Sequence, residues 1–404
     1  MDGQIFDSEQ TKKRIYGGMV LVLGVLLFFG VRYLRAYFAV QKQPLKSGEV
    51  LVNRAIESSV ISSPVSFEAE MVVSDLFVPW AIVFTSESRM LVTERSGSIR
   101  EVRSGDLQVT PLIHFDEVST KSEEGLMGMD KDPDYDRNHF LYVCMAYEED
   151  GELYDKVLQL EDRGDDIARI RTLVDQIPAA QFHAGCRVRF GPDGRLYVTT
   201  GDATTKNIAQ DKESLGGKIL RIKADGNVPE DNPVPGSYVY SLGHRNPQGI
   251  AWDSEGRMYE TEHGPSGFDG PLGGDEINLI EPGVNYGWPI VSHEKTDPRF
   301  ASPLDVFTPA EAPSGLLYYS GEALPQYTGS FLFGVLKGEG LIHVEFDEGN
   351  PREIVKLEKL ELEVGRIREV VQGPDELIYF TTSNRDGRGT VLEGDDKIYR
   401  LRPE

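Results

Sequence analysis

Residues 187–202, RVRFGPDGRLYVTTGD, contain two short strand-like runs joined by a tight turn. Both runs are rich in Val, Leu, Tyr, Phe and Thr, the residue types that favour β-strands. The GPDG between them combines residues that reverse the direction of a chain within a few positions. This stretch therefore predicts a β-hairpin with a tight turn.

Similar units, each an apolar strand, a turn and a second strand, recur along the chain. Each unit is too small to bury both faces of its own sheet, and units of this kind stack as four-stranded antiparallel blades around an axis. We therefore predict an all-β, six-bladed β-propeller over residues 65–404, closed by pairing of residues 70–76 with 397–402. A pair of β-sandwiches is the alternative, but it would not predict six similar units. The units begin at Ala81, Asp130, Arg187, Gly249, Gly329 and Val370.

The composition is that of a globular protein with an acidic surface. The 404 residues include 42 basic and 66 acidic side chains, and the formal net charge is -24. This charge opposes phosphate backbones, so nucleic acid is not an expected partner. The two cysteines, Cys144 and Cys186, exclude a four-cysteine metal site, and they form either one disulfide or two buried thiols.

The N-terminal region differs in character from the rest of the chain. Residues 15–31 form an uncharged apolar run after a short tail, 1–14, and this run is just long enough to span a bilayer. Because bulky and charged residues follow it, we predict an uncleaved transmembrane anchor, with a cleaved signal or a buried helix as the alternatives. A polar stalk, 32–64, would then carry the large domain on the extracytoplasmic side.

Residues 243–289 hold Gly, Pro, His and charged residues where a structural strand pair would hold Val and Leu. Segments of this kind concentrate where a scaffold presents loops for chemistry. In a propeller, polar residues next to the repeated strands converge on one end of the central channel. This reasoning selects eight candidates, namely His183, Asp202, Arg245, Asn246, His263, Lys337, Arg366 and Arg368.

Stretches of sequence that include most of these candidates resemble a known family. In order along the domain stand VPW at 78–80, TER at 93–95, EGLMG at 124–128, FHAGCRVRFGPDG at 182–194, TGD at 200–202, LGGKILRI at 215–222, the 243–289 segment, APSG at 312–315 and GRIREV at 365–370. The chain resembles the glucose/sorbosone dehydrogenase family, the six-bladed propellers that bind pyrroloquinoline quinone (PQQ) with calcium, as in the aldose sugar dehydrogenases.

The resemblance implies a role for each matching residue. His183 would be the general base that takes the hydroxyl proton as hydride passes from the sugar carbon to the quinone, and Asp202 would position it or a neighbouring group. The carbonyls of Gly264 and Pro265 would hold calcium against PQQ. Contacts to PQQ are implied for five residues: Arg366, Arg368 and Lys337 at its carboxylates, and Arg245 and Asn246 beside the quinone oxygens.

Other positions are expected to hold the fold or to face the substrate. Asp275, Glu276 and Asn278, followed by NYGW at 285–288, are interpreted as a turn-stabilising and packing element. Relative to glucose-oxidising members of the family, the chain departs in three places, which leave the substrate open. These departures are Glu123 with Glu124, Phe182, and the reduced aromatic wall FTP at 307–309.

Three functions follow as hypotheses. The first is a membrane-anchored, PQQ- and calcium-dependent dehydrogenase of a sugar or another alcohol, which would pass electrons to an external acceptor. The second is a non-catalytic propeller that binds a ligand or a protein. The third is a calcium-dependent, lactonase-like hydrolase, against which the Arg and Lys set argues, because a hydrolytic metal would need converging carboxylates and amides.

Overall fold

The computed structural model describes residues 66–404. The predicted tail, transmembrane anchor and stalk, 1–14, 15–31 and 32–64, lie outside the described residues and stay predictions. Within residues 66–404, no helix is long and apolar enough to cross a membrane.

The first half of the described chain forms an initial strand and two blades. Strand β1 (Phe67–Val73) comes first and joins the last blade. Blade 1 contains β2 (Pro79–Ser86), β3 (Arg89–Glu94), β4 (Ser98–Arg103) and two short pieces that both pair with β4, β5 (Asp106–Leu107) and β6 (Ile113–His114). Blade 2 contains β7 (Leu126–Lys131), β8 (Phe140–Glu149), β9 (Glu152–Asp162) and β10 (Ile167–Pro178), with the one-turn helix α1 (Tyr135–Asn138) between β7 and β8.

Blades 3 and 4 are also four-stranded and antiparallel. Blade 3 contains β11 (Gly185–Phe190), β12 (Leu196–Thr200), β13 (Lys218–Ile222) and β14 (Val239–Leu242), with a 3₁₀ turn at Lys206–Gln210. Blade 4 contains β15 (Pro247–Trp252), β16 (Met258–Glu262), β17 (Asp275–Ile280) and β18 (Asp305–Phe307).

Blades 5 and 6 complete the ring. Blade 5 contains β19 (Pro313–Tyr319), β20 (Ser330–Val335), β21 (Gly340–Asp347) and β22 (Asn350–Leu360), with a 3₁₀ turn at Pro325–Tyr327. Blade 6 contains β23 (Ile367–Gln372), β24 (Ile378–Thr382) and β25 (Ile398–Pro403), and β1 is its fourth strand.

The six blades form a closed propeller, as predicted. The first strand of each blade contacts the first strand of the next, in the order β2, β7, β11, β15, β19, β23 and back to β2. The predicted closure is also confirmed, because β1 pairs antiparallel with β25 and places Glu70 opposite Arg400. Joining the two ends of the described chain in one sheet removes the open edge that an unclosed ring would expose.

The 187–202 stretch forms the predicted hairpin, with β11 and β12 on either side of its turn. Gly194 lies in the turn at φ +69°, where a side chain would be strained, and its N–H donates to the Gly191 carbonyl over 2.9 Å. The repeat unit at Gly329 is the predicted pair of strands, but its position in its blade differs from that of the other five units. The unit at Gly329 forms the second and third strands of blade 5, because its first strand lies earlier, at Pro313–Tyr319, before a longer connection.

Apolar residues from blades 1, 2 and 3 form one continuous core, in which Cys144 and Cys186 are fully buried. These two cysteines form a disulfide that joins β8 of blade 2 to β11 of blade 3, with Cα atoms 5.6 Å apart. The structure therefore selects the disulfide over the two buried thiols that the sequence left open.

Candidate active site

The candidate site lies where the same end of several blades meets at the central channel. In an antiparallel blade, the start of the first strand and the end of the second strand lie at the same end of the blade. Residues from both positions are therefore brought together although they are far apart in sequence. His183 precedes β11, Arg245 and Asn246 precede β15, Arg366 and Arg368 are at the start of β23, and Asp202 and His263 follow β12 and β16.

His183 is held between an acid and a cation. Its Nδ1 is 2.7 Å from Oδ1 of Asp202, and its Nε2 is 2.8 Å from Nη2 of Arg245. A guanidinium can only donate, so Nε2 must accept and the imidazole proton must be on Nδ1, where it is donated to Asp202. The contacts therefore hold His183 as a neutral imidazole with the lone pair of Nε2 facing Arg245, the form that a general base requires.

Asp202 is itself fixed from two sides. The indole Nε1 of Trp288 donates to its Oδ2 over 2.8 Å, and the backbone N–H of Thr204 donates to its Oδ1 over 2.9 Å. The neighbouring Gly201 has no room for a side chain, since a Cβ there would overlap the carbonyl oxygen of His183. Base and acid are thus positioned by packing of the backbone and by a tryptophan from blade 4.

Arg245 is the most heavily hydrogen-bonded side chain of the site. In addition to His183, it donates from Nε to Asp269 over 2.7 Å and from Nη1 to the His263 carbonyl over 3.0 Å. Nη2 also donates to the hydroxyl of Ser266 over 3.0 Å. Burial works to raise the pKa of Asp269, but Arg245 outweighs it, and the net shift is downward, so that this carboxylate is ionised.

Asn246 and His263 connect the backbone segments that surround the site. Asn246 accepts at Oδ1 from the N–H of Gly185 over 3.2 Å, and its backbone carbonyl accepts from the N–H of His263 over 3.2 Å. Nε2 of His263 is 2.8 Å from the carbonyl of Pro313, an acceptor, so the ring proton is on Nε2. Burial lowers the pKa of His263 to about 3, which keeps it neutral. His263 is therefore a connecting residue rather than a second base.

The turn at Gly264 and Pro265 presents backbone rather than side chains. Asp275 holds it by accepting from the N–H of Gly264 over 2.8 Å and from the N–H of Ala312 over 2.7 Å. Gly264 packs so closely on Gly274 that a Cβ would overlap its carbonyl group. The Pro265 carbonyl accepts from Gly273 over 3.2 Å and keeps a second lone pair. Carbonyl oxygens suit a hard cation such as calcium, so these residues fit the predicted metal.

Arg366 and Arg368 are both buried, with 7% and 8% exposure, so they are not solvated surface charges. Arg366 pairs with Asp386 over 2.7 Å. Arg368 donates to Oε1 of Gln248 over 2.7 Å, but its Nε has no hydrogen-bond partner among residues 66–404. Burial lowers the pKa of Arg368, and Arg366 adds to this effect while Asp386 opposes it. A buried guanidinium with an unused donor fits an anionic ligand such as a carboxylate.

Lys337 is the least constrained of the predicted residues. It is exposed in the β20–β21 turn, and its ammonium makes no hydrogen bond or ion pair with another residue of the described chain. The carbonyl of the preceding residue, Leu336, accepts from Nη1 of Arg366 over 2.7 Å. Lys337 is therefore next to the arginine pair along the backbone, and its side chain is not held there by other residues.

The neighbouring residues Glu123 and Glu124, both predicted to face the substrate, have different roles. Oε1 of Glu123 pairs with Arg388 over 2.6 Å, and Oε2 accepts from the backbone N–H of His183 over 3.3 Å, so this carboxylate borders the base. Burial raises the pKa of Glu123, but Arg388 and the nearby histidines outweigh it and the net shift is downward. Glu124 instead accepts from the backbone N–H groups of Lys121 and Ser122 over 2.7 and 2.8 Å, so it holds its own loop.

Sequence reasoning missed several residues that shape the site. Phe268 and Asp269, in the loop 266–272, contact His183 and Arg245, and Asp386 pairs with Arg366. No periodicity or motif distinguished them. Trp288 was interpreted as part of a turn-stabilising and packing element, and the structure adds its hydrogen bond to Asp202. The only available signal was the placement of Phe268 and Asp269 within the glycine-rich part of 243–289.

A buried carboxylate cluster lies behind the turn at Gly264. It contains Glu260, Glu262 and Glu276, and the imidazole of His244 is 3.4 Å from Glu262. Burial raises the pKa of Glu262 to about 8 and raises those of Glu260 and Glu276. Only part of this cluster is satisfied, since Oε1 of Glu260 has no partner within residues 66–404.

A cavity of about 590 Å³ lies away from the candidate site residues. Its lining includes Tyr197, Tyr240 and Trp252, and it contains neither His183 nor the arginine pair. Volume alone therefore does not locate the site, whereas the convergence of base, cations and backbone carbonyls does.

Comparison with known proteins bears on the fold and the family. The aldose sugar dehydrogenase of Escherichia coli is 27% identical over 358 residues, which are 82% of this chain and 94% of that protein. The solved, PQQ-bound aldose sugar dehydrogenase of Streptomyces coelicolor is 32% identical, with a TM-score of 0.74 and coverage of 84% of this chain and 99% of that one.

A second solved structure is similar over the same region. The protein from Thermus thermophilus, provisionally named an oxidoreductase (glucose dehydrogenase), is 40% identical, with a TM-score of 0.76 and coverage of 83% of this chain and 100% of that one. The profile of the Glucose / Sorbosone dehydrogenase family matches residues 76–393, which include every site residue described above. The chain therefore belongs to the Glucose / Sorbosone dehydrogenase family.

Proposed function

We propose that this chain catalyses the PQQ- and calcium-dependent oxidation of a sugar, or of another alcohol, at a CH–OH carbon. The observation that carries the proposal is the neutral His183, held between Asp202 and Arg245 at 2.7 and 2.8 Å. The names of the related aldose sugar dehydrogenases, one of them PQQ-bound, support the same chemistry. The buried arginine pair and the carbonyl turn supply the binding groups that such a reaction needs.

The contacts of His183 suggest how the base works. A substrate hydroxyl has to replace Nη2 of Arg245 as the donor to Nε2, because that nitrogen has one lone pair. Once Nε2 takes the hydroxyl proton, the imidazolium is stabilised by the Asp202 carboxylate at Nδ1. The displaced N–H of Arg245 is then available to an oxygen that gains negative charge. His183 thus acts as the base, and Arg245 acts as its electrostatic partner. The N–H group of Arg245 that donates to Nε2 in the free protein would donate to a substrate or cofactor oxygen during the reaction.

The remaining residues would hold the cofactors. Arg366, Arg368 and Lys337 would bind the carboxylates of PQQ, and Asn246 would lie beside its quinone oxygens together with Arg245. The carbonyls of Gly264 and Pro265 would hold calcium. When bound, PQQ supplies the two-electron oxidation of the substrate carbon, and calcium polarises the quinone. The protein's part is to bind both and to hold Nε2 of His183 ready for the substrate hydroxyl proton.

We further propose an extracytoplasmic location, with the predicted helix at 15–31 as the anchor and an external electron acceptor. The disulfide between Cys144 and Cys186 supports this location, because disulfides persist in oxidising compartments. Labelling of the chain in intact cells with an impermeant reagent, compared with lysed cells, tests it. Labelling only after lysis would contradict it.

The enzymatic proposal is tested by reconstituting the full chain with PQQ and calcium and measuring dye reduction with a panel of sugars and alcohols. We expect His183→Ala to lower kcat by about a hundredfold to ten-thousandfold, since that is the usual contribution of a positioned base, with PQQ affinity retained. His114→Ala, an exposed histidine of blade 1, is the matched control and should change neither quantity.

Two results would count against the proposal. Absence of PQQ binding at micromolar concentration would exclude the enzyme, and PQQ binding without turnover of any substrate would favour a non-catalytic binding protein. Loss of both turnover and PQQ affinity in His183→Ala would mean that His183 binds the cofactor rather than acting as the base.

A further inference from the structure

We propose that Phe268, in the loop 266–272, is a specificity-determining residue on the substrate side of the active site, and that its neighbour Asp269 is a positioning residue for Arg245. Phe268 would be the flat apolar wall against which a cyclic sugar packs while its hydroxyl meets His183. This inference rests on the proposed function and deepens it, since it names the part of the chain that selects the substrate.

The first observation is the placement of Phe268. Its ring stacks on the imidazole of His183, with centroids 5.7 Å apart and planes 26° from parallel, yet 66% of the residue is exposed. A large aromatic side chain usually buries most of its surface, and pockets for small molecules are lined by such rings. An aromatic ring beside the base and largely open to solvent is therefore placed to contact a ligand that uses that base.

The second observation concerns the segment 307–309, in which the sequence shows a reduced aromatic wall. In the FTP segment at 307–309, Phe307 is buried in the core on β18, and the Thr308 hydroxyl accepts from the N–H of Gly274 over 3.0 Å. Neither side chain is therefore free to form a wall. Phe268 is the aromatic residue of the described chain that stacks on His183, and it comes from a different loop.

The third observation is that the loop is tied to the catalytic groups. Oδ2 of Asp269 accepts from Nε of Arg245 over 2.7 Å, and its Oδ1 accepts from the N–H of Ser266 over 3.0 Å. Ser266 also binds Arg245 through its hydroxyl over 3.0 Å. Asp269 thus sets both the path of the loop and the orientation of the guanidinium that faces Nε2 of His183.

The chemistry of these groups indicates the class of substrate. A ring with apolar C–H faces and several hydroxyls can pack one face on Phe268 and donate a hydroxyl to His183, with Arg245 and Glu123 as further polar partners. A short linear alcohol offers the hydroxyl but no face. The arrangement therefore favours a cyclic aldose over a small alcohol, and the preference should be expressed in KM.

The experiment uses the full chain reconstituted with PQQ and calcium, and compares Phe268→Ala, Phe268→Tyr and the control Leu272→Ala. Leu272 belongs to the same loop and is equally exposed, at 64%, but it has no ring to stack on His183. We expect Phe268→Ala to raise KM for glucose by roughly tenfold, with kcat within about twofold, and to leave glycerol oxidation and PQQ affinity unchanged. Phe268→Tyr should restore the KM, and Leu272→Ala should have no effect.

Asp269→Asn provides the second arm. Because the guanidinium loses its charged partner, we expect kcat to fall by about tenfold with the KM for glucose little changed, and Asp269→Glu to recover part of the loss. A purely structural role would instead lower the unfolding midpoint and affect Asp269→Asn and Asp269→Glu alike.

A readout without turnover separates this inference from the proposed function. In the cofactor-free chain, the Cε1–H resonance of His183 should move in Phe268→Ala, because the ring current of the stacked phenyl group is lost, and should not move in Leu272→Ala. An unmoved resonance, or an unchanged KM for glucose in Phe268→Ala of an active enzyme, would overturn the inference alone. Failure of the unmodified chain to bind PQQ would instead reject the proposed function, and with it the substrate role of Phe268.

Discussion

Blade 2 and blade 4 have the same architecture but differ in their most buried strands, although blade 2 also buries the polar Asp155 and blade 4 also buries the apolar Ile277. In blade 2, residues 141–147 of β8 form an uninterrupted buried run, LYVCMAY, and a disulfide joins this strand to blade 3. In blade 4, the equally buried β16 and β17 read MYETE and DEINLI, so that carboxyl and amide groups occupy the interior. Four antiparallel strands can therefore bury very different proportions of apolar and polar side chains.

We infer from this difference that blade 2 contributes mainly to stability, whereas blade 4 contributes residues to the site. Arg245, Asn246 and the turn at Gly264 flank the first two strands of blade 4, and Asp275 on β17 ties that turn down. Holding backbone carbonyls and a guanidinium in fixed positions needs buried polar partners, and these cost stability when only partly satisfied. Oε1 of Glu260 and Oδ1 of Asn278, both without partners in residues 66–404, are examples of that cost.

The largest effect is expected in blade 2. The disulfide closes a loop with a sequence separation of 42, so replacing both Cys144 and Cys186 by Ala should lower the free energy of unfolding by about 4 kcal/mol. Urea-induced unfolding measures this, and PQQ affinity of the folded double variant should be unchanged. If the variant lost PQQ affinity but kept its stability, the division between the two blades would be wrong.

A smaller, functional effect is expected in blade 4. Asp275→Asn keeps the shape of the side chain but removes one of the two acceptors that hold the N–H groups of Gly264 and Ala312. We expect calcium affinity to fall by about 10- to 100-fold, or roughly 1.4 to 2.7 kcal/mol, because partners that orient metal ligands typically contribute this much. Activity recovered against calcium concentration after chelation measures it. Asp305→Asn, a partly buried carboxyl on β18 of the same blade, is the control.

The smallest effect is a change in pH dependence. Burial raises the pKa of Glu260 well above its ordinary value of 4.5, and Glu262 adds to the effect. The native state therefore keeps a proton that the unfolded chain has released, and the free energy of unfolding falls as pH rises from 4.5 towards the native pKa. One retained proton corresponds to about 1.4 kcal/mol per pH unit, but three neighbouring carboxyl groups share the protons of this cluster.

Glu260→Gln should remove part of that fall. We expect the difference in unfolding free energy between pH 5 and pH 7 to become smaller by about 1 kcal/mol, with the variant the more stable of the two proteins at pH 7. The measurement is urea-induced unfolding at both pH values. An equal loss of stability at both would instead indicate that Glu260 is an ionised partner that the blade needs.

Much of the fold could be predicted from local patterns. The hairpin at 187–202, the count of six units and the closure between β1 and β25 follow from turn residues and strand-forming runs, and the structure confirms them. The Gly329 unit resembles the others locally, and only the sheet order of blade 5 shows that it forms the second and third strands rather than the first and second.

The site was predictable to the extent that a residue stands in a recognisable motif. His183, Asp202, Arg245 and the 264–265 turn were selected in this way, and the structure brings them together at one end of the blades. Phe268 and Asp269 lie within the 243–289 segment, but no role was predicted for them, and their importance appears only through contacts with His183 and Arg245. The role of Glu124, which accepts hydrogen bonds from its own loop, also depends on backbone geometry that residue type does not reveal.

The order of residues along this chain suffices for the strands, the turns and the chemical types that gather near them, because these depend on neighbours within a few positions. The three-dimensional fold alone decides which nitrogen of His183 carries the proton, which partner each arginine has, and which aromatic ring lies over the base. Those properties depend on side chains that are far apart in sequence, such as Arg368 and Gln248 with a separation of 120 residues, and that meet only when the ring of blades closes.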